Sequence, residues 1–405
     1  MASTHASVLD IRDSSVVAGP VLVDPFISDS ANLFPKMPSR IKDGSWELWE
    51  FEAFSDGGET AVGVSLYRDI RGLEQDGFHA ELNAIWPDGS KWGETLYFAK
   101  SIITADSTVH SYEGRVNGVW TSRDGYDGHN GQTTRTITFT IAADLSSATV
   151  LFCVPGQVSG TINLQSIMIS TNNQKTSLPA TEEAALLYPS VYYMFPMGPQ
   201  TATVDLAFAA RADGEEERKL YIGPENDGHG GMVRGWSSHA WPQFMNEAYY
   251  TVAYIGPYMM QLLRIVGTAA TGHKPYAVAR LYRGHDLVCA ANHVLDDATA
   301  EAAVEDTVRV EKILPDPNAE RQETGLAGIF RDKNVGYIIE FSSAQRQCHW
   351  RFEVRHKRAW WSEPTSAPGP DGTGKSGWVE AFFGGSPREK FNGTGVGGQL
   401  QIPVP

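Results

Sequence analysis

Three consecutive stretches of the chain carry, at strand spacing, side chains that can hold or move protons. In Trp46-Glu-Leu-Trp-Glu-Phe-Glu52, the alternation of a strand puts Glu50 and Glu52 with Trp46 and Leu48, opposite Trp49 and Phe51. On the next stretch Tyr67 lies with Ser65 and Gly63, opposite Val62, Val64 and Leu66. On the third, Glu81 and Asn83 lie opposite Ala80, Leu82 and Ala84. Each strand thus offers one more apolar face and one with polar groups. The polar faces are either the solvated outside of an antiparallel sheet or the lining of a pocket, in a barrel mouth or between domains. Periodicity alone leaves both open. A second group is aromatic: Trp236, Trp241, Tyr249, Tyr250, Tyr254 and Tyr258, then Trp350, Trp360 and Trp361. Most such rings pack cores and sheets, because each buries about 150–250 Å². Eleven tryptophans in 405 residues is nevertheless high, and an apolar ligand would suit the surplus.

Other chemistries find little support. Gly393-Thr-Gly-Val-Gly-Gly398 has the glycines of a dinucleotide fingerprint, but Gln-Leu-Gln-Ile-Pro-Val-Pro follows, leaving no room for the helix that would hold a pyrophosphate. Asp124-Gly-Tyr-Asp127-Gly-His-Asn130 lacks the every-second-residue ligands of a calcium loop and reads as a surface turn. His285, Cys289 and His293 recur in steps of four without a flanking ligand pair. There is no Gly-x-Ser-x-Gly elbow. No metal and no organic cofactor is expected.

Composition sets the frame for these residues. There are 33 Lys+Arg against 48 Asp+Glu, a net charge of −15, which disfavours nucleic acid and anionic lipid as partners. Three dispersed cysteines (Cys153, Cys289, Cys348) make neither a disulfide framework nor a zinc motif, so a reducing, intracellular setting is expected. The N-terminus shows no basic region followed by an apolar one, and the most apolar stretch, 251–267, is broken by Gly256-Pro257 and carries Gln261 and Arg264. A soluble, cytoplasmic protein is the expectation, with the sequon at Asn392 unused.

The elements that must position the polar residues are strands. Alternation predicts strands at Trp46–Phe54, Ala61–Tyr67, Gly77–Ile85, Thr136–Ile141, Ala148–Val154 and Thr201–Ala209. Later ones are Ala248–Tyr254, Met259–Val266, Tyr276–Tyr282, Val335–Phe341 and Trp350–Val354. Turn clusters such as Ser55-Asp56-Gly57-Gly58 and Trp86-Pro87-Asp88-Gly89 separate them. Helical periodicity is confined to two short segments, Ala180–Leu187 and Asp296–Asp306. The pattern predicts an all-β chain of sandwiches or barrels. Ala61–Arg68 and Ala277–Arg283 echo one another, as two similar β domains would, and the polar stretch Ala210–Gly231 is the best linker candidate. Pro364–Asp371 reads as a rigid loop in the latter half.

Several longer blocks carry a resemblance. They are Leu33-Phe-Pro-Lys36, Trp46-Glu-Leu-Trp-Glu-Phe51, Gly230-Gly-Met-Val-Arg-Gly-Trp236-Ser, Trp241-Pro-Gln-Phe-Met245 and Gly256-Pro-Tyr-Met-Met-Gln261. Ala279-Arg-Leu-Tyr-Arg283, Arg331-Asp-Lys-Asn-Val-Gly-Tyr337, Pro364-Thr-Ser-Ala-Pro-Gly-Pro-Asp371 and Gly395-Val-Gly-Gly-Gln399 extend them to near the C-terminus. By these blocks the chain resembles the fungal decalin-forming Diels–Alderases. The resemblance implies an N-terminal sandwich-like β domain (1–212), a C-terminal lipocalin-like barrel (213–405), and a pocket between them. It implies a cofactor-free intramolecular [4+2] cycloaddition of a linear polyenoyl tetramic acid, made by a polyketide synthase–peptide synthetase hybrid, to give a decalin. It also implies catalytic positions at Glu50, Tyr67, Glu81, Asn83 and Lys375, with Tyr193, Trp241, Trp236 and Trp361 against the substrate. Tyr192 competes with Tyr193, and Trp236 with Trp241, for the pocket. A non-catalytic carrier of an apolar metabolite and a cofactor-free hydratase or isomerase of polyenes are the alternatives.

Overall fold

The computed structural model describes residues 3–13, 15–75, 77–107, 114–122, 134–168, 178–210, 216–292, 305–315, 333–367, 369 and 371–403. Two large antiparallel sheets account for nearly all of the regular structure. The first has fifteen strands drawn from Ser3 to Ser237, the second nine strands from Met245 to Gln401. The predicted strands are all present, two of them to the residue: Trp46–Phe54 and Thr136–Ile141 have the expected bounds. Alternation finds them because one face of each strand feeds an apolar core.

The first sheet folds over on itself. Trp49, Phe51, Val62, Val64, Ala80 and Leu82 on one limb meet Trp120, Ile137, Phe139, Val150, Phe152 and Ile162 on the other in one buried cluster. The second sheet curls into a nearly closed barrel whose two edge strands, Asp286–Ala291 and Thr307–Ile313, approach each other. Its interior is packed with Leu262, Ala279, Leu281, Ile339, Phe352 and Val354. Two further apolar clusters lie between the sheets. One joins Trp46, Leu48 and Val233 to Ala248, Leu263 and Val278; the other joins Phe54, Ala61 and Ile85 to Val252, Trp360 and Val396. Polar ties reinforce the contact. Tyr254 Oη donates to Gln200 O at 2.6 Å, and Arg358 donates to Trp86 O at 3.1 Å and Glu59 O at 2.6 Å.

Some expectations change. The stretch proposed as a linker contains the strand Arg218–Ile222 and the start of His229–Ser237, both hydrogen-bonded into the first sheet. The chain therefore changes sheet between Ser237 and Met245, beyond the division expected at 212/213. Ala180–Leu187 gives one 3-10 turn, Glu183–Ala185, followed by the short strand Leu186–Tyr188, and not two helical turns. The glycine-rich Gly393–Gly398 lies inside the strand Phe391–Gln401, where small residues let neighbouring chains close in: a Cβ on Gly393 would stand 2.1 Å from Tyr254 O. Asp124–Asn130, His293 and nearly all of Asp296–Asp306 lie outside the described residues. Both turn clusters close as expected, Gly89 N donating to Trp86 O at 2.9 Å with φ +83°, a conformation that suits glycine.

Candidate active site

The polar faces of Trp46–Phe54, Ala61–Arg68 and Phe78–Ile85 form one surface, because the three strands are neighbours in register. One cross-strand ladder runs Val233, Glu50, Ser65, Glu81. The next on one side runs Gly231, Glu52, Gly63, Asn83, and on the other Tyr193, Gly235, Leu48, Tyr67. This face turns toward the second sheet, which buries it in part. Glu52 and Tyr193 are each 3% exposed. Of the two readings open from periodicity, the lining between two β units is the one realised. Glycines let the sheets approach: a Cβ on Gly63 would stand 3.3 Å from Trp360, and one on Gly231 2.9 Å from Val252.

The barrel supplies the opposing wall. Its strands Cys348–Pro364, Gly374–Gly385, Phe391–Gln401 and Met245–Ile255 place Trp361, Gly377, Gly398 and Tyr250 on one ladder, with Glu363, Lys375 and Leu400 on another. A Cβ on Gly377 would fall 2.1 Å from Trp361 Nε1 and 2.4 Å from Trp360 Nε1, so both indoles lie against that glycine. Two consecutive tryptophans reach the same side because the strand is irregular between Ala359 and Trp361. Tyr250 Oη and Trp360 Nε1 are buried with no hydrogen-bond partner among the described residues.

Lys375 bridges the walls. Its ammonium lies 3.4 Å from Glu81 Oε2, 3.1 Å from Glu363 Oε2 and 5.6 Å from the Trp361 ring centroid. Glu81 Oε1 in turn lies 3.7 Å from both Arg71 Nη1 and His79 Nε2. Asp69 holds both of those partners, at 2.6 Å from Arg71 Nε and 3.1 Å from His79 Nδ1. The His79 ring stacks on Tyr67 at 4.5 Å, and the Arg71 guanidinium sits 4.3 Å from the Tyr67 centroid.

Burial and charge divide the carboxyls. Burial, with the charge of Glu81 behind it, pushes Glu50 up to about 7, against a smaller opposing effect of the Ser65 hydroxyl. Glu52 is driven well above the ordinary carboxylate range by burial and by Glu50. Burial also acts on Glu81, but Lys375, Arg71 and His79 outweigh it and hold the group below its usual value. Asp69, buried but facing Arg71 and His79, is held at about 2. Burial keeps Tyr67 and Tyr193 protonated, Glu81 adding to the effect on Tyr67 and Glu50 to that on Tyr193. The site therefore combines a fixed carboxylate with a fixed ammonium, phenol donors, and a carboxyl poised to donate or accept near neutral pH.

Glu50, Tyr67, Glu81, Asn83, Tyr193, Trp361 and Lys375 thus occupy the two facing walls. Trp241 opens the short helix Trp241–Phe244 and stacks on Trp46 at 4.2 Å, next to Tyr193 in the same apolar cluster. Trp236 does not join them. It is 2% exposed on the opposite face of its strand, stacked on Tyr192 at 4.5 Å and packed with Ala185 and Met194. Strand alternation separates Gly235 from Trp236 and Tyr193 from Tyr192 in one stroke. Asp69, Arg71, His79, Glu363 and Tyr250 were not among the expected site residues. His79 shares the alternation of Glu81 and was open to that argument, whereas Asp69 and Arg71 sit in a turn, where no period applies.

Comparisons with known proteins identify the family. The family profile described as Diels-Alderase-like matches residues 3–403. The chain is 62% identical to Diels-Alderase gNR600 of a fungal species (strain NRRL 50135), covering 100% of both chains. It is 51% identical to Diels-Alderase phm7 of Pyrenochaetopsis sp, covering 99% of each. Among solved structures, that of CghA with Sch210972 superposes with a TM-score of 0.86 at 33% identity, over 99% of both chains. With a profile match over almost the full length and relatives of this similarity, the chain belongs to the Diels-Alderase-like family.

Proposed function

We propose that this protein catalyses the stereoselective intramolecular [4+2] cycloaddition of a linear polyenoyl tetramic acid, the product of a polyketide synthase–peptide synthetase hybrid, to a decalin. Family membership and the names of the relatives support the reaction class. The observation that carries the substrate class is Lys375 beside Trp361 on the barrel wall, facing the ladder Glu50–Ser65–Glu81. A cation beside an indole, over a face otherwise lined by protonated phenols and a neutralisable carboxyl, suits an acidic head group with an apolar conjugated tail.

The cycloaddition makes two carbon–carbon σ bonds at the expense of π bonds and transfers neither proton nor electron. The protein's part is shape and polarisation. Folding the polyene so that diene and dienophile meet is an orientation effect, worth up to about 7–11 kcal/mol in well-oriented systems and less here, where the partners are already tethered. A bias of about 1.4 kcal/mol between competing folds already gives a tenfold product preference. Trp241, Trp361 and Tyr193 set the fold of the chain by contact. Lys375 donates a charge-assisted hydrogen bond to the tetramate oxygens and draws electron density from the conjugated dienophile. Glu50, Tyr67, Glu81 and Asn83 form the polar network that anchors the head group and holds the wall in shape.

The test is incubation of pure protein with the linear polyene, followed by chromatography. One decalin diastereomer formed faster than the spontaneous mixture supports the reading. Unchanged polyene that co-elutes with the protein would make it a carrier, and a hydrated product a hydratase.

A further inference from the structure

We propose that Arg71 is a positioning residue for Lys375, acting through Glu81: from its turn it engages one carboxylate oxygen and so presents the other to the Lys375 ammonium. The proposal rests on the reading of Lys375 as the head-group cation. Glu81 has its two oxygens divided between neighbours, Oε1 at 3.7 Å from Arg71 and from His79, and Oε2 at 3.4 Å from Lys375. Arg71 can do this because it is itself fixed. Asp69 Oδ2 binds its Nε at 2.6 Å, Asp69 Oδ1 accepts from its backbone N at 3.0 Å, and its guanidinium rests on the Tyr67 ring. A side chain that is 45% exposed would otherwise lose that geometry to rotamer freedom.

The groups facing Glu81 come from every element around it. Glu50 and Ser65 share its ladder, and Thr95 pairs with it on the outer strand. His79 and Tyr67 are adjacent, Arg71 and Asp69 belong to the preceding turn, and Lys375 with Glu363 belongs to the barrel. Three of these lower the Glu81 pKa, and Lys375 and Arg71 are the larger two. Without Arg71 the carboxyl takes up its proton at higher pH, while the ionised carboxylate is still held by Lys375. Protonated, it no longer tethers the ammonium. The loss is therefore on the acid side and disappears once Glu81 is fully ionised.

Arg71→Gln and Arg71→Lys, assayed with the linear polyenoyl tetramic acid across pH, test this. The acid limb of kcat/KM should move up by about one pH unit in Arg71→Gln, in keeping with the loss of one opposite charge, and back toward wild type in Arg71→Lys. The deficit should fall mainly on KM, and thermal melting should show both variants folded. An unchanged profile, or a loss of equal size at every pH, would overturn the proposal, the latter because it marks a merely structural role. If wild-type protein leaves the polyene linear, the reading of the function fails instead. Tryptophan quenching by a short 3-acyltetramic acid then decides the role of Arg71. Weaker acid-side binding in Arg71→Gln supports it, equal binding overturns it, and no quenching in wild type overturns both.

Discussion

Replacing Lys375 with Met isolates the electrophilic part of the reaction from the shape of the cleft. The substitution keeps the length of the side chain and most of its apolar stem while removing one charge. Its structural cost should be small. Lys375 and Glu81 are 23% and 25% exposed, Glu363 is more than half exposed, and Glu81 retains Arg71 and His79. Partly solvated pairs of this kind contribute about 0–1 kcal/mol, so melting should shift little. The chemical cost should be larger. A hydrogen bond to a charged partner is worth about 1.5–3 kcal/mol, which at about 1.4 kcal/mol per decade is roughly a 10- to 150-fold loss in kcat/KM. The assay is an initial-rate time course on the linear polyene, with the diastereomers resolved by chromatography. As the enzymatic rate falls, the spontaneous cycloadducts should appear beside the enzymatic one. Wild-type rate and wild-type product ratio in a folded Lys375→Met protein would refute the role assigned to the ammonium.

Trp241→Ala and Trp236→Ala should separate cleanly. The first removes a half-buried ring stacked on Trp46 and should erode the diastereomer ratio with modest destabilisation; the second should cost about 3–5 kcal/mol in chemical denaturation and leave the product ratio of the folded fraction unchanged. Glu50, raised from 4.5 to about 7, binds a proton in the folded chain that the unfolded chain has already released, so its contribution to stability is present below about pH 4.5 and lost as pH rises through about 7. Glu50→Gln should therefore melt higher than wild type above neutrality and no higher in acid, and equal melting at alkaline pH would count against the buried carboxyl. Gly377→Ala puts a Cβ against both indoles and should cost about 1–3 kcal/mol and broaden the product mixture; a crystal structure with Trp360 and Trp361 unmoved would exclude this reading.

The extent to which the sequence announces this site follows from the length scale of each signal. Period-two alternation is local, so Trp46–Phe54, Ala61–Arg68 and Phe78–Ile85 were legible along with the sides on which Glu50, Tyr67, Glu81 and Asn83 stand. What alternation does not encode is what covers a face. Glu50 and Glu52 read equally well as a solvated outside until Val252, Trp360 and Val396, more than 160 residues away, are seen to pack above that sheet. Lys375 was reachable from resemblance alone, because Gly372-Thr-Gly-Lys375-Ser-Gly377 by itself describes a mobile surface lysine. In the structure Gly374 and Gly377 are strand residues, Gly377 lies against two indoles, and the lysine is pinned from both walls.

The linker expectation failed for a related reason. Glu215-Glu-Glu217 is a polar run, and Glu216 and Glu217 are exposed, but a polar run gives no information on whether the flanking residues cross to a new sheet. The chain returns instead as His229–Ser237 and inserts between Trp46–Phe54 and Val191–Met194, strands that precede it by some distance in sequence. That insertion is what brings Gly231, Val233 and Gly235 into the rows of Glu52, Glu50 and Leu48. Two of those three positions carry no side chain, so the wall beside Glu52 and Tyr193 is set by backbone and the barrel can close down on it: a Cβ on Gly231 would stand 2.9 Å from the Val252 side chain. Strand order thus decides the depth of the cleft, and the residues that line it decide only its chemistry.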